Sequence, residues 1–132
     1  MQSLPTTMKQ REQVINNYIN AYNHFDMDGV LKDLHEDIRF ENITAGETNM
    51  VLDGRAAFKE QAEKATAFFS ERKQTITSIK HNADETEITI DYKAVLANDF
   101  PNGMKKGDIL KLEGRSIFGF TGKKISLIKD IS

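Results

Sequence analysis

A change in hydrophobic period near His35 constrains this chain more than any other feature. Before it, apolar residues recur about every 3.6 positions, as on one face of a helix. After it, with one helical interruption, they alternate, as on one face of a strand. In the first part Val14, Ile15, Tyr18, Ile19 and Tyr22 form one stripe, with Lys9, Arg11, Glu12 and Asn16 mostly opposite. Thr6 or Thr7 is the expected N-cap of a helix that begins near Met8 and stops near His24. Asp26 caps a short second helix with Met27, Val30, Leu31 and Leu34 on its apolar face, weakened by Gly29. Pro5 and Pro101 fall at expected boundaries.

The alternating part begins after Asp37. Ile38, Phe40, Asn42 and Thr44 share one strand face, and Arg39, Glu41 and Ile43 the other. A turn at residues 45–49 leads to a short return strand over 50–52. Asp53-Gly54 then opens a third helix, with Ala57, Phe58, Gln61, Ala62, Ala65, Phe68 and Phe69 as its buried stripe. Strands are expected over 75–81, 87–97, 109–120 and 124–131, with a hairpin loop around residues 99–103. Ile88, Ile90, Tyr92, Ala94 and Leu96 point one way, as do Leu110, Leu112, Gly114, Ser116, Phe118 and Phe120; Lys111, Glu113 and Arg115 point the other way. The order α-α-β-β-α-β-β-β-β argues for an α+β fold. An antiparallel sheet that bends strongly around a long helix has a concave face that the helices cover only in part, so a pocket follows.

Composition narrows the chemistry. The chain has 132 residues, which is one domain, expected to span 1–132. With 18 Lys+Arg against 20 Asp+Glu it lacks the basic excess of a nucleic-acid binder. It has no Cys, which removes disulfides, thiolate nucleophiles and Cys-ligated metals. His24, His35 and His81 have no metal-ligand spacing, so no metal site and no cofactor are expected. Of these, His35 sits one turn before the first pocket strand. No segment reads as a secretory signal or a membrane span, and the expected location is cytoplasmic. No Ser/His/Asp arrangement and no Gly-rich phosphate cradle occur.

The residues also resemble a known family. Tyr18 to Asn23, Asp26 to Val30 and Asp37 to Asn42 are similar to the opening of the nuclear transport factor 2-like superfamily, in its SnoaL-like and ketosteroid-isomerase-like group. Asp53 to Phe58 resembles the glycine turn into that group's third helix, and Gly114 to Ile125 its final hairpin. The resemblance runs from about residue 12 to 131. It implies a cone-shaped, strongly bent sheet wrapped around helices, and a homodimer through the outer sheet face. It also implies roles at three positions. Tyr18 corresponds to the tyrosine that donates a hydrogen bond to a developing oxyanion. Asn42 falls where ketosteroid isomerases carry their basic aspartate, and Ser116 where isomerases and cyclases keep an acidic group. An amide has no useful basicity and a serine is a poor base, which argues against isomerase or cyclase chemistry through these two residues.

Each candidate has a structural alternative. Tyr18 and Tyr22 lie on a buried stripe and can be core aromatics with hydroxyls at the surface. Asn42 must be hydrogen-bonded, either to a ligand or to a neighbouring loop. Ser116 either makes a polar contact or leaves room for a helix. The reading is a pocket for a small, largely apolar, carbonyl-bearing molecule, walled by Phe40, Phe58, Phe68, Tyr92 and Phe118, with Tyr22 beside it and Tyr18, Asn42 and Ser116 as its polar floor. Two others stay open: an isomerase-like or cyclase-like enzyme with an unidentified carboxylate, for instance Glu41 brought inward by a register shift, and a non-catalytic dimeric interaction domain. An epoxide-hydrolase arrangement fails because parity puts Glu113 and Arg115 outside. By the same parity the pocket is expected to be uncharged.

Overall fold

The computed structural model describes residues 7–132, so Pro5 and the alternative cap Thr6 lie outside the described residues. Helix α1 (Met8–Asn23) starts at Thr7 with a capping box: the Gln10 backbone N–H donates to Thr7 Oγ1, and the Thr7 N–H donates to Gln10 Oε1. It ends with the Asp26 N–H on the Ala21 carbonyl and the Phe25 N–H on the Tyr22 carbonyl, a Schellman closure. The left-handed position of that closure usually belongs to glycine, yet here Phe25 holds it at φ 56°. The buried Arg72 guanidinium compensates. It lies over the Tyr22 ring at 3.7 Å and the Phe25 ring at 4.4 Å, and its Nε donates to the Tyr22 carbonyl at the negative end of the helix.

Helix α2 (Met27–Lys32) is capped by Asp26, and α3 (Arg55–Thr66) follows Gly54. The strands are β1 (Leu34–Thr44), β2 (Glu47–Asp53), β3 (Phe69–His81), β4 (Glu85–Leu96), β5 (Ile109–Thr121) and β6 (Lys124–Ile131). They form one open sheet in the order β2-β1-β6-β5-β4-β3. The expected element order and α+β class hold. The pairings are antiparallel except β1 with β6, which run parallel.

Several boundaries correct the sequence reading. Leu34 belongs to β1, not to the apolar face of α2. Helix α3 stops at Thr66, so Phe68 and Phe69 leave its stripe; Phe69 opens β3, six residues before the expected strand start. Residues 69–74 contain Glu71, Arg72, Lys73 and Gln74, a polar run that masks the strand period. The inward Arg72 is buried only because aromatic rings cover it.

The core lies between α1 and the concave face. Ile15, Leu34, Ile38, Ile88, Phe118, Ile125 and Ile128 are fully buried there. Tyr18 packs edge-on against Phe118, with ring centroids 5.8 Å apart. At the narrow end of the cone, Arg11 reaches across the β3–β4 turn. Its Nη1 donates to the Asn82 carbonyl and its Nη2 to the Ala83 carbonyl, each at 2.7 Å. His81 bridges Thr86 Oγ1 and Glu12 Oε1 at 2.9 and 3.1 Å.

Candidate functional site

The wider end of the concave face differs because a bulge intervenes. In the β5–β6 hairpin the register shifts between Gly119 and Phe120. Phe120 pairs with Ile125, but Gly119 pairs with Leu127, so β6 gains one residue. Gly119 permits this close approach, since a Cβ there would stand 3.0 Å from the Cβ of Leu127. Beyond the bulge Ser116 pairs with Asp130, where an unbroken hairpin would have set it against Lys129. Asp130 therefore turns inward.

Asn42 on β1, Asp130 on β6 and Ser116 on β5 form one row across three strands. Ser116 is buried, and its Oγ donates to Asp130 Oδ1 at 2.7 Å. Burial raises the Asp130 carboxyl from 3.8 to about 6, and the Ser116 hydrogen bond offsets part of that rise. Tyr18 is held well above the usual phenol range, first by burial and then by the nearby charge of Asp130. Burial also raises Tyr92, as does its hydrogen-bonded neighbour Tyr22, whose hydroxyl lies 3.0 Å away.

A cavity of about 190 Å³ opens over this row. Tyr22, Asn42, Gln74, Tyr92, Gly114, Ser116 and Asp130 line it, and so do Glu113 and Arg115, which parity had put outside. It is not the uncharged pocket that parity suggested. Of the sequence candidates, the structure brings together Tyr22, Asn42, Tyr92 and Ser116 around the cavity. Tyr18 lies behind them, buried and within electrostatic reach of Asp130.

The phenylalanine walls are elsewhere. Phe118 is core, Phe40 and Phe58 pack edge-on with centroids 5.6 Å apart, and Phe68 is 47% exposed against Phe100. Leu112, expected inside, is 49% exposed because the open end of the sheet leaves it uncovered. Asn42 lines the cavity and also ties the β1–β2 hairpin, its Nδ2 donating to Asn49 Oδ1 at 2.8 Å. Glu41 faces away and pairs with Arg39 at 3.2 Å, so it is not the missing carboxylate.

Sequence reasoning missed Asp130, Gln74 and the bulge. The sequence held one signal, apolar Ile125 and Ile128 three positions apart, and the structure buries both fully, which no regular strand allows.

Comparisons with known proteins agree with this fold. Residues 15–128 match the SnoaL-like domain family. The chain belongs to that family. A candidate polyketide cyclase from Xanthomonas campestris pv. campestris superimposes with a TM-score of 0.79 at 19% identity, covering 94% of this chain and 90% of that one. AclR, a candidate hydroxylase from Streptomyces galilaeus, gives 0.75 at 18% identity, over 94% and 89% of the two chains. A nuclear transport factor 2-like protein of unknown function from Burkholderia pseudomallei gives 0.73 at 15%, over 93% and 90%. At such identities the likeness carries the fold and not the reaction. No curated protein matches the sequence. Among the described residues, no cluster of His, Asp or Glu could hold a metal ion, and no helix of this SnoaL-like chain is long and apolar enough to cross a membrane.

Proposed function

We propose that this SnoaL-like protein is an enzyme that moves a proton next to the carbonyl of a small, largely apolar molecule. The observation that carries this reading is Asp130, an inward carboxylate whose affinity for protons lies close to neutrality. A general base works best when its pKa lies near the working pH. Above pH 6 Asp130 is mostly ionised and can accept a carbon-bound proton; the protonated form can return it. Tyr18 stays protonated but is buried behind the cavity lining, so it is not a donor to the substrate. Size restricts the substrate: a cavity of roughly 150 Å³ holds one benzene, and this one measures about 190 Å³. A single-ring ketone fits that scale.

The test is exchange of solvent deuterium into the α position of acetophenone, followed by proton NMR. The wild-type protein should accelerate exchange, with a rate that rises through pH 6. Asp130→Asn should lower that rate by roughly 100-fold or more. Acetophenone that binds without exchanging would make the protein a binder. If it neither binds nor exchanges, the reading fails.

We also propose a homodimer through the convex face. Lys73, Lys93 and Lys111 stand directly opposite one another across β3, β4 and β5, and Asp91 faces Glu113 in the next row. Like charges in one row repel. A twofold axis between the rows would set the lysines of one copy over the carboxylates of the other. Ile109, 53% exposed, adds apolar area. Light scattering should return a dimer mass that Lys93→Glu reduces; a monomer at high concentration would sink the idea.

A further inference from the structure

The cavity has a second polar wall that proton transfer at Asp130 does not use. Gln74 lines it from β3, on the row that joins Gln74 to Tyr92. Its backbone is fixed, because the Gln74 N–H donates to Asn23 Oδ1 at 2.7 Å and its carbonyl accepts from Asn23 Nδ2 at 3.0 Å. Its side-chain Oε1 is buried and has no hydrogen-bond partner among the described residues. An acceptor left this way is unfavourable, and such groups in folded proteins call for a physical explanation.

Beside it, the Tyr22 and Tyr92 hydroxyls lie 3.0 Å apart. Two hydroxyls that share one hydrogen bond leave one O–H hydrogen outside the pair. Tyr92 stays protonated because burial and Tyr22 both raise its pKa. The wall therefore offers an acceptor and a donor side by side. A ligand carbonyl or ether can only accept, and a carboxylate cannot donate. A hydroxyl does both.

We infer that Gln74 and the Tyr22–Tyr92 pair form a subsite for a hydroxyl group, so that the substrate is a small hydroxylated carbonyl compound. This rests on the reading of the cavity given above and names the substrate class within it. β3 carries the hydroxyl subsite and β6 carries Asp130, with β4 and β5 between them. The ligand thus spans the concave face, its carbonyl end near Asp130 and its hydroxyl end near Gln74. Gln74 acts in selection: it holds one end of the ligand and transfers no proton.

The test uses acetophenone and 4′-hydroxyacetophenone, which differ by one hydroxyl at the end of the ring away from the carbonyl. Affinities are measured by titration calorimetry. The wild-type protein should prefer the hydroxylated probe by about 10-fold. Gln74→Met keeps the length of the side chain and removes its polarity; it should cut the ratio of the two affinities to nearly one. Tyr92→Phe should reduce it in the same direction. Neither probe binding would overturn the cavity reading itself. Equal binding of both to the wild type would overturn the hydroxyl subsite and leave the proton-transfer reading intact. A preference that survives Gln74→Met would remove Gln74 from the subsite. Gln74→Met should melt no lower than the wild type, since it deletes an orphaned acceptor; a large drop would make Gln74 structural.

Discussion

The two ends of the concave face are built from the same strands and treat polarity in opposite ways. At the narrow end Ile88, Phe118 and Ile128 are fully buried, and the buried Thr86 is hydrogen-bonded to His81. Arg11 is turned into a clamp on the carbonyls of the β3–β4 turn, and only its Nε is left without a partner there among the described residues. At the wide end Asp130 is desolvated with a single hydroxyl partner, and Gln74 Oε1 has none. The narrow end is arranged for stability. The wide end retains polar groups whose needs the fold leaves unmet, and such sites are where function is expected.

The largest effect should come from breaking the narrow end. Phe118→Ala removes a fully buried ring from beneath Tyr18 and should destabilise the protein by about 3–5 kcal/mol in urea unfolding. A loss under 1 kcal/mol would mean that this end is not the tightly packed one.

The wide end should respond with the opposite sign. The folded protein holds the Asp130 proton up to about pH 6, whereas the ordinary value is 3.8. Between these values the unfolded chain releases a proton that the folded one keeps, so stability falls as pH rises through that window. It is highest below the unfolded value and levels off above 6. Asp130→Asn should abolish this slope and stabilise the protein at pH 7–8 by on the order of 2 kcal/mol, read from unfolding at a series of pH values. A wild-type stability that did not fall relative to that of Asp130→Asn from pH 4 to pH 6 would contradict the desolvation of Asp130.

The boundary between the two ends is the bulge at Gly119. Gly119→Ala presses a Cβ against Leu127 and should cost about 1 kcal/mol or more. If it lets the hairpin slip to regular pairing, Lys129 replaces Asp130 opposite Ser116 and deuterium exchange disappears. Exchange unchanged by this substitution would mean that the bulge does not set the site.

That bulge also explains what the sequence could and could not reveal. The helix stripe Ile15–Tyr18–Ile19–Tyr22 and the alternation through Ile88, Ile90 and Tyr92 were legible because burial on one face repeats along the chain. Ser116 and Asn42 were placed inward by parity, and both are at the cavity. Asp130 was not legible by parity, because a single inserted residue reverses the facing of everything beyond it. Gln74 was hidden for another reason. Its strand begins in a polar run whose inward member, Arg72, reads as solvent-exposed until the rings of Tyr22 and Phe25 are brought over it. Like the charge of Asp130, that cover exists only once distant strands meet.

The smallest expected effect concerns the single hydrogen bond at the heart of the wide end. Ser116→Ala deletes one oxygen and leaves the backbone pairing with Asp130 in place. The Ser116 hydroxyl favours the ionised carboxylate, so its loss should move the Asp130 titration upward from about 6 while burial is unchanged. Carbon-detected NMR of the Asp130 carboxyl measures this directly. The same shift should move the pH profile of deuterium exchange to higher pH, with little change in melting temperature at acid pH, where the carboxyl is protonated in both variants. A titration that fell, or stayed in place, would mean that Ser116 does not stabilise the charge. Asp130 would then be set by burial alone, and the contrast with the hydrogen-bonded Thr86 and His81 of the narrow end would become sharper.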